Sequence, residues 1–134
     1  MGKKKTSRKI DYHASCGNDH DTFGTVYSSM FKHPNYKSLP LEARQGYTLC
    51  RLQLHDSDSK RILYNHAAAS GERYDDSCFV FPAKCWNSYV ISRQQGSRIL
   101  NTLVDRGFIK RLEQNKHRFQ ANVYQFSSEW KKTD

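Results

Sequence analysis

Wound at 100° per residue, residues 90–109 divide into two faces, with Gly96, Ile99, Leu100 and Leu103 on one side and Gln94, Arg98, Asn101 and Asp105 on the other. The spacing predicts a helix over residues 92–106, and both ends of it are marked. Ser92, followed three residues later by Gln95, fits a capping box. Gly107 stands where a left-handed residue closes a helix, and Arg106 suits the negative end of the helix dipole. Downstream, Phe108-Ile109-Lys110-Arg111-Leu112 and Asn122-Val123-Tyr124-Gln125-Phe126 are rich in β-branched and aromatic residues and predict two strands. The segment between them, residues 113–121, is polar and basic at its tip.

Upstream, Phe23, Val26, Tyr27, Met30 and Phe31 recur at helical spacing and predict core packing for residues 23–31. His33-Pro34-Asn35-Tyr36 breaks that helix, and Ser38 with Pro40 in the first turn predicts another, to about residue 54. On it Arg44, Thr48 and Arg51 form one narrow polar strip. Leu41, Ala43, Tyr47, Leu49, Cys50, Leu52 and Leu54 cover most of the remaining circumference, the mark of a central helix. Residues 55–77 read as a long loop excursion: a loop at residues 55–60, a short helix at 63–69 and a turn-rich stretch at 70–77. Residues 1–22 are polar and aperiodic, a flexible arm, which leaves residues 23–134 as a single domain. There is no internal repeat.

Charge sharpens this picture. The net charge of +9 is uneven: residues 1–10 hold five basic and no acidic side chains, residues 84–132 ten against three, and residues 36–76 six against six. The basic ends are where a polyanion would bind. The polar face of residues 92–106 then acquires a chemical meaning, because Asn and Gln match the adenine edge and Arg the guanine edge in the major groove of DNA.

A two-faced helix, a tight turn and a hairpin with a basic loop follow one another in residues 79–130, and this stretch resembles the winged helix-turn-helix domains of bacterial regulators and plasmid proteins. The ending Leu103-Val104-Asp105-Arg106-Gly107-Phe108-Ile109 resembles the step from recognition helix into wing that many of them share. The resemblance implies an α/β, mostly α fold: a winged helix-turn-helix with additional N-terminal helices (residues 23–54) and a C-terminal β-hairpin wing. It implies a preceding helix at residues 82–88, a turn at 87–91, and Phe79-Val80-Phe81 as a strand pairing with the wing. It makes Arg93, Gln94, Gln95, Ser97, Arg98 and Asn101 the DNA contacts of the recognition helix, and Lys110, Arg111, Asn115, Lys116, His117 and Arg118 those of the wing. Lys3, Lys4, Lys5, Arg8 and Lys9 would add contacts from the arm. One departure stands out: Lys84-Cys85-Trp86 sets a bulky Trp where the family carries a small residue.

Cys16, Cys50, Cys78 and Cys85 form no C-x-x-C pair and follow no secretory signal, so the expectation is reduced thiols in the cytoplasm. His13, Cys16 and His20 lack the second ligand pair of a structural zinc site, so no metal and no cofactor is expected. Asp75-Asp76 reads as an exposed turn. The six histidines are scattered, and no nucleophile elbow, zinc-protease or phosphate-loop motif is present, so no enzyme is expected. No apolar run reaches the ~18 residues of a membrane span. The layout resembles small proteins of plasmids and integrative or conjugative elements. It leads to the expectation of a sequence-specific binder of double-stranded DNA, an accessory or regulatory factor of transfer, replication or transcription. Its protein partners would be a relaxase, a replication protein or a second copy of the chain. The competing reading is an RNA-binding or protein-interaction module, against which the polar rather than aromatic face of residues 92–106 argues.

Overall fold

The computed structural model describes residues 14, 16, 24–113 and 122–132. Two short helices, α1 (Ser28–Lys32) and α2 (Pro34–Lys37), lead into two longer ones, α3 (Leu41–Gln53) and α4 (Ser57–Ser70). A short strand β1 (Cys78–Phe79) follows, then α5 (Ala83–Ser88), α6 (Arg93–Asp105), β2 (Ile109–Glu113), β3 (Val123–Phe126) and a 3₁₀ turn at Glu129–Lys131. The fold is mostly helical with one small antiparallel sheet in the order β1-β3-β2. Phe79 pairs with Tyr124 and Ile109 with Phe126, and the β2 register shifts between Arg111 and Glu113.

The core gathers Tyr36, Leu39, Ala43, Tyr47 and Cys50 from α2, α3 and the link between them with Phe79, Phe81, Trp86, Ile99, Leu103, Phe108 and Trp130. Aromatic contacts run through it: Phe108 stacks on Trp130 with ring centroids 5.1 Å apart, and Tyr47 meets Phe108 and Phe126 edge-on. A smaller cluster of Cys78, Val80 and Val123 is covered by Ile62 and Leu63 of α4 and by Tyr74. That cluster is why α4 docks on the sheet.

The excursion expected at residues 55–77 is for the most part this helix. Asp56 caps it by accepting from Ser59 N–H at 2.9 Å, so the polar run Ser57-Asp58-Ser59-Lys60 is a first turn rather than a loop. Ser59 is itself buried, donating to Gln53 Oε1 at 2.7 Å and tying α4 to α3. The helix expected over residues 23–31 shrinks to α1, where Met30 is buried while Tyr27 and Phe31 are exposed. His33 ends α1 in an extended conformation and caps α2 through Nδ1, which accepts from Asn35 N–H at 3.1 Å. The central helix begins with Pro40 as its cap, two residues after Ser38, and its apolar circumference is incomplete because Leu41 is exposed. The strand expected at residues 79–81 sits at Cys78–Phe79 and pairs with β3.

Candidate nucleic-acid interface

Helix α6 buries Gly96, Ile99, Leu100 and Leu103 and exposes Arg93, Gln94, Gln95, Ser97, Arg98 and Asn101. Two close approaches seat it. A Cβ at Gly46 of α3 would collide with Ile99 Cγ2, so α3 and α6 meet almost backbone to side chain. A Cβ at Gly96 would lie 2.6 Å from the Trp86 ring, which itself stacks on Phe81 at 3.6 Å between centroids. The missing side chain at Gly96 is what leaves room for the bulk of Trp86 between α5 and α6.

The entry and exit of α6 are fixed by backbone bonds. The Ser92 hydroxyl accepts from Gln95 N–H and the Gln95 carboxamide from Ser92 N–H, each at 3.1 Å, completing the capping box. At the other end Gly107 N–H donates to Val104 O and Phe108 N–H to Leu103 O, around Gly107 at φ 83°. The turn from α5 into α6 repeats this closure: Val90 N–H donates to Asn87 O and Ile91 N–H to Trp86 O. Here the left-handed position, at φ 62°, is held by a valine that is 92% exposed.

The exposed face is partly occupied by the protein itself. Arg98 donates through Nε to Glu42 Oε2 at 2.8 Å and through Nη2 to Oε1 at 3.3 Å, and this bonding holds the Glu42 carboxyl below its ordinary range. Asn101 Oδ1 accepts from Arg111 Nη2 at 2.6 Å. Arg111 lies over the Tyr124 ring, and its Nε is buried without a hydrogen-bond partner among the described residues. Gln95 is consumed by the cap. The side chains of Arg93, Gln94 and Ser97 make no hydrogen bond or ion pair among the described residues and remain open to a ligand.

Of the expected hairpin contacts, Lys110 is exposed on β2 close enough to Glu129 to help lower its carboxyl, whose main partner is Lys132. Arg111 is half-buried and aimed at Asn101 rather than outward. Asn115, Lys116, His117 and Arg118, and Lys3, Lys4, Lys5, Arg8 and Lys9 of the arm, lie outside the described residues, as do His13 and His20. Among the described residues no cluster of His, Cys, Asp or Glu could hold a metal ion, and no helix is long and apolar enough to cross a membrane. Glu42 is a site residue that sequence reasoning missed: it stands 56 positions from Arg98, and nothing local marks it.

A separate cleft of about 380 Å³, lined by Tyr47, Arg51, Phe126 and Trp130 among others, shares no residue with α6. Comparison of the chain with protein-family models, curated proteins and solved structures finds no match.

Proposed function

We propose that this protein binds double-stranded DNA, with α6 lying in the major groove as the reading helix of a winged helix-turn-helix. The observation that carries the reading is the exposed row of guanidinium, carboxamide and hydroxyl groups on α6, backed by a fully buried apolar edge. Such a row matches base edges and serves a protein partner poorly. The order α3, β1, α5, turn, α6 and an antiparallel hairpin supports the assignment, with α4 as an addition between the first helix and the sheet. The basic excess in residues 84–132 and 1–10 supports a polyanionic ligand. Within that class the layout favours an accessory or regulatory factor of a bacterial mobile element, acting in the cytoplasm at a transfer origin, a replication origin or an operator. A relaxase, a replication protein or a second copy would be its protein partner.

The test is a mobility shift of the full chain against duplex DNA, single-stranded DNA and RNA at equal salt. Duplex is expected to bind best, and Arg98→Ala and Asn101→Ala to lose about tenfold against the preferred sequence but little against a scrambled one. Deleting residues 1–10 should flatten the plot of log affinity against log salt by up to about 0.9 per lost phosphate contact, with the preferred sequence unchanged. Equal binding of the parent and both α6 variants to preferred and scrambled duplexes would remove α6 as the reader. A preference for RNA or single strands would remove the duplex reading altogether.

A further inference from the structure

The cleft walled by α1, α3 and the end of β3 is lined by charge of one sign, with Arg51 and Lys131 but no Asp or Glu. At about 380 Å³ it has room for one ligand of modest size. Arg51 is fixed in its wall: Nε donates to Thr25 O at 3.1 Å, and the guanidinium lies over the Phe126 ring, 4.6 Å from its centroid. It also reaches the Tyr47 hydroxyl, and among the described residues it meets no carboxylate. Terminal N–H donors are thus left over for an acceptor in the cleft. Lys131 runs along Trp130, its Nζ 5.9 Å from the ring centroid, and the Glu129 carboxylate nearby is taken by Lys132 at 3.0 Å.

Ring surface and hydroxyl groups complete the lining. The inner rings are covered, Phe126 by Phe79 and Arg51 and Trp130 by Phe108. Tyr27 is different: it is 69% exposed and meets no other ring or cation among the described residues, so a face is free for stacking. The hydroxyls of Thr25, Ser29 and Ser128 make no hydrogen bond among the described residues. A simple anion would leave the ring and the hydroxyls unused, and an uncharged aromatic would leave the two cations unused. A nucleotide uses all three, because it joins a phosphate, a sugar and a planar base.

We propose that this cleft binds one nucleotide unit, with its phosphate against Arg51 and Lys131, its base stacked on Tyr27 and its sugar among the hydroxyls of Thr25, Ser29 and Ser128. The site shares no residue with α6 and is independent of duplex reading by that helix. A free mononucleotide and one residue of a single strand present the same chemistry and are separated by the titrations that follow.

The experiment is isothermal titration calorimetry of the full chain with adenosine monophosphate, adenosine and inorganic phosphate at matched ionic strength. The monophosphate should bind one per chain, and adenosine and phosphate each about tenfold more weakly, since each forfeits part of the site. Arg51→Met keeps an aliphatic stem over Phe126 but loses the donors, and should weaken the monophosphate about tenfold. Tyr27→Ala should weaken it about fivefold through lost stacking, and Lys131→Met about threefold. Both of these replace exposed side chains, so they should melt with the parent and keep its duplex affinity even where Arg51→Met proves too unstable to use. A short oligoadenylate that binds more tightly per nucleotide than the monophosphate, and loses that advantage in Tyr27→Ala, places the unit in a strand; the reverse order places it free in solution. If none of adenosine, guanosine, cytidine and uridine monophosphates binds more tightly than about 1 mM, the proposal is overturned. Phosphate binding as tightly as the monophosphate overturns it too, as does an affinity unchanged in both Tyr27→Ala and Lys131→Met, because either result reflects the net charge of the chain and not a site. The duplex mobility shift of the α6 variants is read separately, so failure here and failure of the DNA-binding reading are distinguishable.

Discussion

Replacing Val90 with asparagine should stabilise the protein, an unusual sign for a substitution next to a candidate binding helix. The backbone closure that ends α5 requires a left-handed residue, and Val90 fills that place at φ 62°. For an L-residue this conformation costs roughly 1–2 kcal/mol, and β-branched side chains tolerate it worst. Little is lost by removing the isopropyl group, since 92% of the residue is exposed. Asparagine enters the left-handed region readily through local hydrogen bonds. A net gain of about 1 kcal/mol is therefore expected, equivalent to a rise of about 3–5 °C in Tm for a chain of this length. Val90→Gly should gain less, because glycine returns about 0.5–1 kcal/mol as unfolded-state entropy. The mirror change, Gly107→Val, should be strongly destabilising: its φ is 83°, and a Cβ there already stands 3.1 Å from Glu129 Cβ and Trp130 N. Thermal unfolding followed by circular dichroism on all three variants decides the matter. A Val90→Asn protein that melts at or below the parent temperature would refute the strain argument.

Gly96→Ala should cost about 1–3 kcal/mol in urea unfolding, because its methyl group would meet the Trp86 ring at 2.6 Å and that ring is held by Phe81. An unchanged midpoint would mean that α5 can shift freely against α6. In the native state a thiol reagent at neutral pH should modify Cys16, which is exposed, and spare the others until the chain unfolds. Burial pushes the thiol of Cys78 up to about 11 and that of Cys50 higher still, leaving almost no thiolate to react. Rapid native labelling at Cys50, Cys78 or Cys85 would contradict that packing.

Helix α6 was legible because independent local signals coincide in it: an apolar stripe of Gly96, Ile99, Leu100 and Leu103, a capping box at Ser92 and Gln95, and Gly107 at its exit. The strands on either side of residues 114–121 were legible from β-branched and aromatic runs, to within a residue. Helix α4 was legible only in its second half, as the short helix expected at residues 63–69, since its first turn is polar. What makes Ser59 a core residue is its bond to Gln53, a tertiary fact with no periodic trace. The helical spacing of Tyr27 and Phe31 misled for the opposite reason: the periodicity is there, but no neighbouring element covers either ring fully. The identity of the exposed α6 groups was readable, whereas their bonding states were not. Glu42 and Arg111 reach them from another helix and another strand, and only the fold brings those together.

The strand order β1-β3-β2 also constrains how the chain can assemble as it is made. β3 is central, yet it is the last of the three strands to be synthesised, so β1 has no edge to pair with until residues 123–126 have emerged. Phe79, whose ring stacks on Tyr124 and Phe126, must wait as well. Asn35 of α2 donates to Trp130 O at 2.6 Å, so one of the earliest helices likewise waits for a bond from one of the latest segments. A nascent chain from which only residues 1–122 had emerged would therefore hold α6 complete and its core open, exposing aromatic surface for a chaperone to recognise.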